Sequence, residues 1–322
     1  MEATMHTAAK LINNSRNQRG FTLVELCVVV GIIAVLLAFS IPAILQSREA
    51  SRQLQCKDRL RQISVGCLVF ESTNRHLPHS YNPRPLALAL LPFLEQQNLY
   101  NDLAHFPTYR DSNVTSAAYM PPVVYVCPSD SENFQVGPGS NGNLWGMNYV
   151  ANAGTGFTRA GYDGLFGVEM ERLSLREITD GLSNTSLFSE CLVSAGDSSV
   201  RHGLIYNLPF PIYEPERFSE LMNAIANAHL NGSPVSPHAS RGRPWTDIND
   251  HHRVFHHALG PNSNSGFNFQ SVQGGLYGTS SNHPGLINLV YVDGSVTAIS
   301  NEISQEAWWA MGSRAGRENV AN

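Results

Sequence analysis

From Leu26 to Leu45 the chain is apolar and carries no charged residue, and at Gln46 that pattern stops. A run of ~20 apolar residues at ~1.5 Å per residue covers the ~30 Å hydrocarbon core of a bilayer, so this stretch predicts a membrane-spanning helix. Beyond it Leu54, Leu60, Ile63, Cys67 and Phe70 recur at roughly three- and four-residue spacing among Arg, Lys and Gln. That spacing predicts that the helix continues with one apolar stripe. A helix from Phe21 to about Ser72 would be ~75 Å long, more than any bilayer, so the second half is expected to lay its stripe on a globular head. Pro42 lacks an N–H and is expected to kink or open the helix near its outer end.

The head reads as short elements. Pro83 and Pro85 break the chain, and Leu86 to Leu103 predicts one or two short helices with Pro92 in a first turn. Val123 to Val126 predicts a strand ending at the turn Cys127-Pro128-Ser129-Asp130. Strands are also expected at Asn148 to Ala153 and Ser186 to Leu192, with a helical turn over Ser174 to Asn184 closed by Asp180-Gly181. Residues 194–282 are rich in Pro, Gly, Asn and Ser and read as a surface insertion with one helix near Arg217 to Leu230. Leu286 to Val292 and Ser295 to Ile299 flank Asp293-Gly294, which predicts a hairpin with a two-residue type I′ turn. A helix at Ile303 to Met311 places Ile303, Ala307, Trp308 and Met311 on one face. The expected class is α+β, a long N-terminal helix packed on a mainly antiparallel sheet with long loops.

Charge adds orientation. Lys10, Arg16 and Arg19 precede the apolar run, and positive charge there holds the N-terminus in the cytoplasm and sends the remainder outward. The net charge of −5 over 322 residues, with no long Lys/Arg run, gives no footprint for nucleic acid. The 26 Gly and 18 Pro suit an extracytoplasmic head of short strands and long loops.

An ordinary secretory signal places its cleavage site after the apolar run, and here the order is reversed. Arg19-Gly20 precede Phe21-Thr22-Leu23-Val24-Glu25-Leu26, which resembles the type IV prepilin motif. The resemblance implies that a prepilin peptidase cuts after Gly20, that Phe21 becomes an N-methylated N-terminus, and that Glu25 serves assembly with itself or other pilin-like subunits. A carboxylate at the edge of an apolar segment either snorkels or marks a specific partner, and a neighbouring subunit's N-terminal amine would be that partner. The expected organisation is leader 1–20, transmembrane helix 21–45, stem helix 46–75, head 76–303 with a variable insertion at 194–282, and C-terminal helix and tail 304–322. The lipid bilayer, as inner membrane, and the peptidase are the expected partners.

Further along, Cys56-Lys57-Asp58-Arg59-Leu60-Arg61-Gln62-Ile63, Leu91-Pro92-Phe93-Leu94-Glu95-Gln96-Gln97-Asn98-Leu99-Tyr100, Cys127-Pro128-Ser129-Asp130, Ile178-Thr179-Asp180-Gly181-Leu182-Ser183-Asn184-Thr185 and His283-Pro284-Gly285 ten positions before Asp293-Gly294 form a series. The series resembles the prepilin-like family called domain of unknown function 1559, with its H-x9-D-G tail. It departs at Arg59, where a second Asn is usual, and at Leu286, which replaces a glycine. The resemblance implies a pseudopilin-like membrane protein related to type II secretion and type IV pilus subunits, and no established activity. A tether displaying a protein- or glycan-binding head is the rival expectation.

Cys27 lies in the apolar run, so Cys56, Cys67, Cys127 and Cys191 remain for the head, with three possible pairings. Cys56 to Cys127 is the first choice because it would pin the emerging helix to the head, against buried free thiols. His251, His252, His256 and His257 are the metal-like signal, since His252 and His256 at i, i+4 would share a helix face, against a solvated His-rich loop. Asp247 and Asp250 are the nearby carboxylates. Calcium at Asp130, Asp163 or Asp180 matches no known loop spacing. His283, Asp293 and Ser281 have the residue types of a triad, but a turn at Asp293-Gly294 with His283 bonding across the strand explains them without a substrate. No catalysis and no cofactor are expected.

Overall fold

The structure is a computed structural model that describes residues 22–78, 85–104, 120–130, 135–139, 142–156, 163–167, 172–193, 205–207, 218–231, 245, 253–267 and 275–316. Helix α1, Leu23–Asn74, runs unbroken through Pro42. It contributes to two compact units, residues 1–48 and residues 49–322. In the first unit the side chains of residues 22–48 are all exposed.

The second unit holds the rest of α1 and the head. Short helices α2 (Leu86–Leu90) and α3 (Gln97–Ala104) flank a 3-10 turn at Leu91–Leu94 whose Pro92 sits in its first turn. The strands in chain order are β1 (Gln135–Gly139), β2 (Gly142–Trp145), β3 (Tyr149–Asn152), β4 (Ser186–Glu190), β5 (Ile205–Asn207), β6 (Val254–Phe255), β7 (Ser265–Phe267), β8 (Gly275–Leu276), β9 (Leu286–Tyr291) and β10 (Val296–Ser300), with α4 (Phe218–Asn231) between β5 and β6 and α5 (Gln305–Ala310) last. The central sheet runs β10-β9-β4-β3-β6, antiparallel except for the parallel β3/β6 pair. Successive strand residues point to opposite faces. Accordingly Tyr149 and Ala151 join the core that receives α1, while Val150, Ile287 and Leu289 join a second core with Phe255 and Trp308. Both faces of the sheet are covered, which is why β3 and β4 are buried along their whole length.

The stripe that α1 buries is Cys56, Leu60, Ile63 and Cys67, packed with Leu88, Leu91, Tyr125 and Phe188. Leu54, read as part of it, is 66% exposed, and Cys56 takes its place. Gly66 lets the 3-10 turn approach, because a Cβ there would stand 2.8 Å from Leu94 Cδ2.

Three further expectations change. Val123–Tyr125 is a 3-10 turn, since Pro122 at φ −54° starts it and the Tyr125 N–H bonds the Pro122 carbonyl. The β9/β10 hairpin has a three-residue loop: the Tyr291 N–H bonds Ser295 O, the Gly294 N–H bonds Tyr291 O, and among the pair Asp293-Gly294 only Gly294 has positive φ (84°). That is the type I turn with a glycine bulge, whereas type I′ needs positive φ at both central residues. Finally, the stretch 194–282 is not all surface. It supplies β6 to the central sheet, buries Trp245, and holds helix α4 near the expected place.

Leu60→Ala is expected to cost about 2–5 kcal/mol as a buried leucine truncation, and Leu54→Ala less than about 0.5 kcal/mol, measured by denaturant unfolding of the detergent-solubilised chain.

Candidate functional site

Two places carry the chemistry. The first is the start of α1, where Glu25 Oε2 accepts hydrogen bonds from the Thr22 N–H (2.9 Å) and hydroxyl (2.7 Å), and the Glu25 N–H donates to Thr22 Oγ1 (3.3 Å). This is a capping box, in which Thr at N-cap and Glu three residues on satisfy each other's donors. The Thr-x-x-Glu spacing could have been read from the sequence. Gly20 and Phe21 lie outside the described residues.

The second place is buried in the head, where four distant segments meet. Cys56 on α1 and Cys127 are joined by a disulfide, with Cα atoms 5.4 Å apart and a sequence separation of 71. Two helical turns before Cys56, Glu49 points the same way, and its Oε1 lies 2.7 Å from His283 Nδ1. His283 Nε2 is 3.4 Å from Glu190 Oε1 at the end of β4, and 3.9 Å from Cys127 Sγ. Ser129 Oγ donates to Glu49 (3.2 Å) and stands 3.5 Å from His283 Nδ1. Glu190 is held in turn by the backbone and side-chain N–H groups of Asn288, both at 2.9 Å.

The Cys127–Asp130 turn is fastened from below. Asn148 accepts from the Cys127 N–H (2.8 Å) and donates to Asp130 Oδ2 (2.6 Å) and the Cys191 carbonyl (3.0 Å), and Asp130 also takes the Val193 N–H (2.8 Å). Each of these groups is buried, and an unmade bond there would carry the full desolvation penalty. Asp130 is therefore a structural acceptor in this arrangement. Asp180 receives Ser313 Oγ (2.9 Å) and the Gly316 N–H (2.7 Å), which ties down the C-terminal segment, while Gly181 takes φ 101°. Asp163 bonds Thr155, and Asp293 Oδ1 bonds the Ser295 N–H and hydroxyl.

His283 and Asp293 thus have different partners. Ser281 Oγ accepts the His283 backbone N–H (3.2 Å), so these residues form no relay. His251 and His252 lie outside the described residues. His256 and His257 directly follow β6, where the chain enters a turn rather than a helix, and both are buried. His256 Nδ1 accepts the Tyr277 N–H (3.2 Å). His257 packs against Trp308 with centroids 4.2 Å apart and ring planes tilted by 39°, and approaches Ser186 Oγ (3.2 Å). Burial pushes its pKa down to about 3, so it is a neutral core ring.

Electrostatically, His283 is the centre of the buried site. Burial opposes its charge, but the hydrogen bonds and charges of Glu190 and Glu49 outweigh burial and raise its pKa. For Glu49, partial burial acts upward, and His283 and Arg52, which lies 2.6 Å away, hold its pKa below the usual value. Glu49 and Glu190 were not singled out by sequence reasoning. A mid-helix glutamate and a glutamate closing an apolar strand carry no local mark of a partner 234 or 93 positions away.

The profile for proteins of unknown function (DUF1559) matches residues 46–306, and that for the prokaryotic N-terminal methylation motif matches residues 15–41. This chain belongs to the DUF1559 family. No curated protein and no solved structure matches it. The methylation motif covers Gly20, Phe21 and Glu25 and makes the DUF1559 chain a type IV pilin-like protein of the kind processed by a prepilin peptidase. With the long apolar helix it fits a single-pass membrane-anchored protein. Both matches are to structural types without assigned catalysis.

With the disulfide intact, the pH dependence has a defined sign. His283 has a folded pKa above its ordinary 6.5, so its contribution is fully present below about pH 6.5 and is lost as pH rises through the folded value. Glu49 has a folded pKa below its ordinary 4.5, so its contribution is present above about pH 4.5 and is lost as pH falls through the folded value. Stability of the DUF1559 chain is expected to decline on the alkaline side, and His283→Gln is expected to flatten that limb in unfolding midpoints measured against pH.

Proposed function

We propose that this DUF1559 protein is a pilin- or pseudopilin-like subunit of the inner membrane. A prepilin peptidase removes residues 1–20 and the mature chain assembles with itself or other pilin-like subunits in a type II secretion or type IV pilus-like system. The supporting observation is the methylation motif running directly into α1, whose side chains from 22 to 48 are all exposed. Such a surface suits either lipid or the equivalent helices of neighbouring subunits. The positive arm before the motif supports a cytoplasmic N-terminus and an exported head. In this reading Glu25 exchanges its cap to Thr22 for the N-terminal amine of a neighbouring subunit.

A second reading, a tethered binding head without a filament, draws on an open groove between α1 and the segment 120–124. Exposed Leu54, Met120 and Val123 stand along it.

Intact-mass and N-terminal peptide mass spectrometry of the protein from its native membrane separates the two. A chain beginning at N-methylated Phe21 is expected. A chain retaining Met1 to Gly20 would sink the assembly reading and leave the tether. In the processed protein Glu25→Ala is expected to insert in the membrane normally and to lose chemically cross-linked multimers.

A further inference from the structure

The buried site has a chemical capacity that a disulfide and an ion pair leave unused. Among the described residues, Cys56, Cys127, Glu190 and His283 place one ligand atom each within 4.8 Å of all the others, and all four residues are buried. A tetrahedral zinc ion with Zn–S of about 2.3 Å and Zn–N or Zn–O of about 2.0–2.1 Å sets S···N edges near 3.6 Å and N···O edges near 3.4 Å. The observed His283 Nε2 distances are 3.9 Å to Cys127 Sγ and 3.4 Å to Glu190 Oε1. The two sulfurs, now bonded to each other, would have to move apart to admit the ion.

The surroundings match as well. A metal-ligating histidine usually gives its other ring N–H to a carboxylate that fixes the tautomer and ring orientation. Here Nε2 faces the other three donors while Nδ1 is held by Glu49 at 2.7 Å, and Glu49 is steadied by Arg52 at 2.6 Å. Glu190 has its own support from Asn288, leaving it aimed at the ring. A structural ion pair needs one carboxylate beside the imidazole. Two carboxylates on opposite ring nitrogens with two sulfurs beside one of them make a donor set.

We propose that Cys56, Cys127, Glu190 and His283 form a tetrahedral site for a divalent transition metal, zinc foremost, which is filled when the two cysteines are reduced and vacated when they join as the disulfide. The reaction balances: a dithiol reductant delivers two electrons and two protons to the disulfide and is itself oxidised to a disulfide. Metal entry then releases both thiol protons, and the Nε2 proton as well when the His283 ring enters as imidazolium. The thiolates select zinc over calcium or magnesium, which prefer oxygen ligands. Either link, covalent or metallic, fastens α1 to the Cys127 turn, so the stem half of the helix is held to the head in both redox states. This goes beyond the pilin reading and does not depend on it.

The test uses the full chain in detergent, reduced anaerobically with a phosphine, which becomes the phosphine oxide with oxygen from water, and freed of the phosphine. Cobalt(II) is titrated first, then displaced with zinc. The reduced wild type is expected to take up one cobalt per chain with intense tetrahedral bands and a thiolate-to-cobalt charge-transfer band, and the disulfide form is expected to show neither. Cys127→Ser is expected to weaken the charge-transfer band. Glu49→Gln, which supports the ring without ligating, is expected to lower affinity about 10–100-fold while keeping the tetrahedral spectrum. If the reduced chain is folded by circular dichroism, has both thiols free and gives no tetrahedral cobalt spectrum, the proposal is overturned. If reduction unfolds the chain, stoichiometric zinc is expected to restore the folded spectrum, and failure to restore it is equally fatal.

Discussion

The head depends on one constraint: a helix that begins as a membrane anchor must be fixed to a sheet whose strands are made from residues far along the chain. The Cys56–Cys127 link closes a loop of 71 residues, worth about 4 kcal/mol in the chain-entropy account, and Glu49 adds a charged bond to His283 from the same face of the helix. Around these ties the stripe of Leu60, Ile63 and Cys67 excludes water from one face of the sheet. The loops bearing Cys127 and His283 are then spent on fastening, which accounts for the many hydrogen bonds that converge on Asn148, Asp130 and Ser129. Motif residues that look chemical in a linear sequence are here largely the pins of a fold with short strands.

Much of that was legible before any coordinates. Helix α1, the hairpin over 286–300, β3, β4 and the closing helix are where periodicity places them, because a helix period of 3.6 and a strand period of 2 are local properties. Local signals failed where tertiary partners decide. Leu54 shares its spacing with the buried stripe but faces away from it, and only the position of the sheet tells the two apart. Val123–Tyr125 has the β-branched composition of a strand, yet two prolines before it fix a turn. Val254 and Phe255 form a two-residue parallel pairing with β3, too short to rise above the polar chain around it.

The site divides along the same line. His283, Cys127 and Cys56 were marked by residue type and motif, since cysteine and histidine are scarce enough to be noticed. Their carboxylate partners were not, because glutamate is common on helices and its role here comes from contacts spanning more than 90 positions. Of the histidine cluster, His256 and His257 are the described members and both are buried. His257 is a neutral ring packed against Trp308 in the core, in a turn that follows strand β6.

The two ends of α1 therefore answer to different physics. From 22 to 48 its side chains are exposed, and the remaining demand, the N–H groups of the first turn that lack a helical partner, is eased by the Thr22–Glu25 box. A capped terminus is stable in isolation, so any partner that claims the Glu25 carboxylate must replace those bonds with something at least as strong, and a charged amine in low dielectric meets that requirement where a neutral donor does not. From Glu49 onward the same helix is committed, by a covalent bond and a buried charge, to one head. An exposed apolar half and a half bound to the sheet are built into one helix by where its polar residues stand.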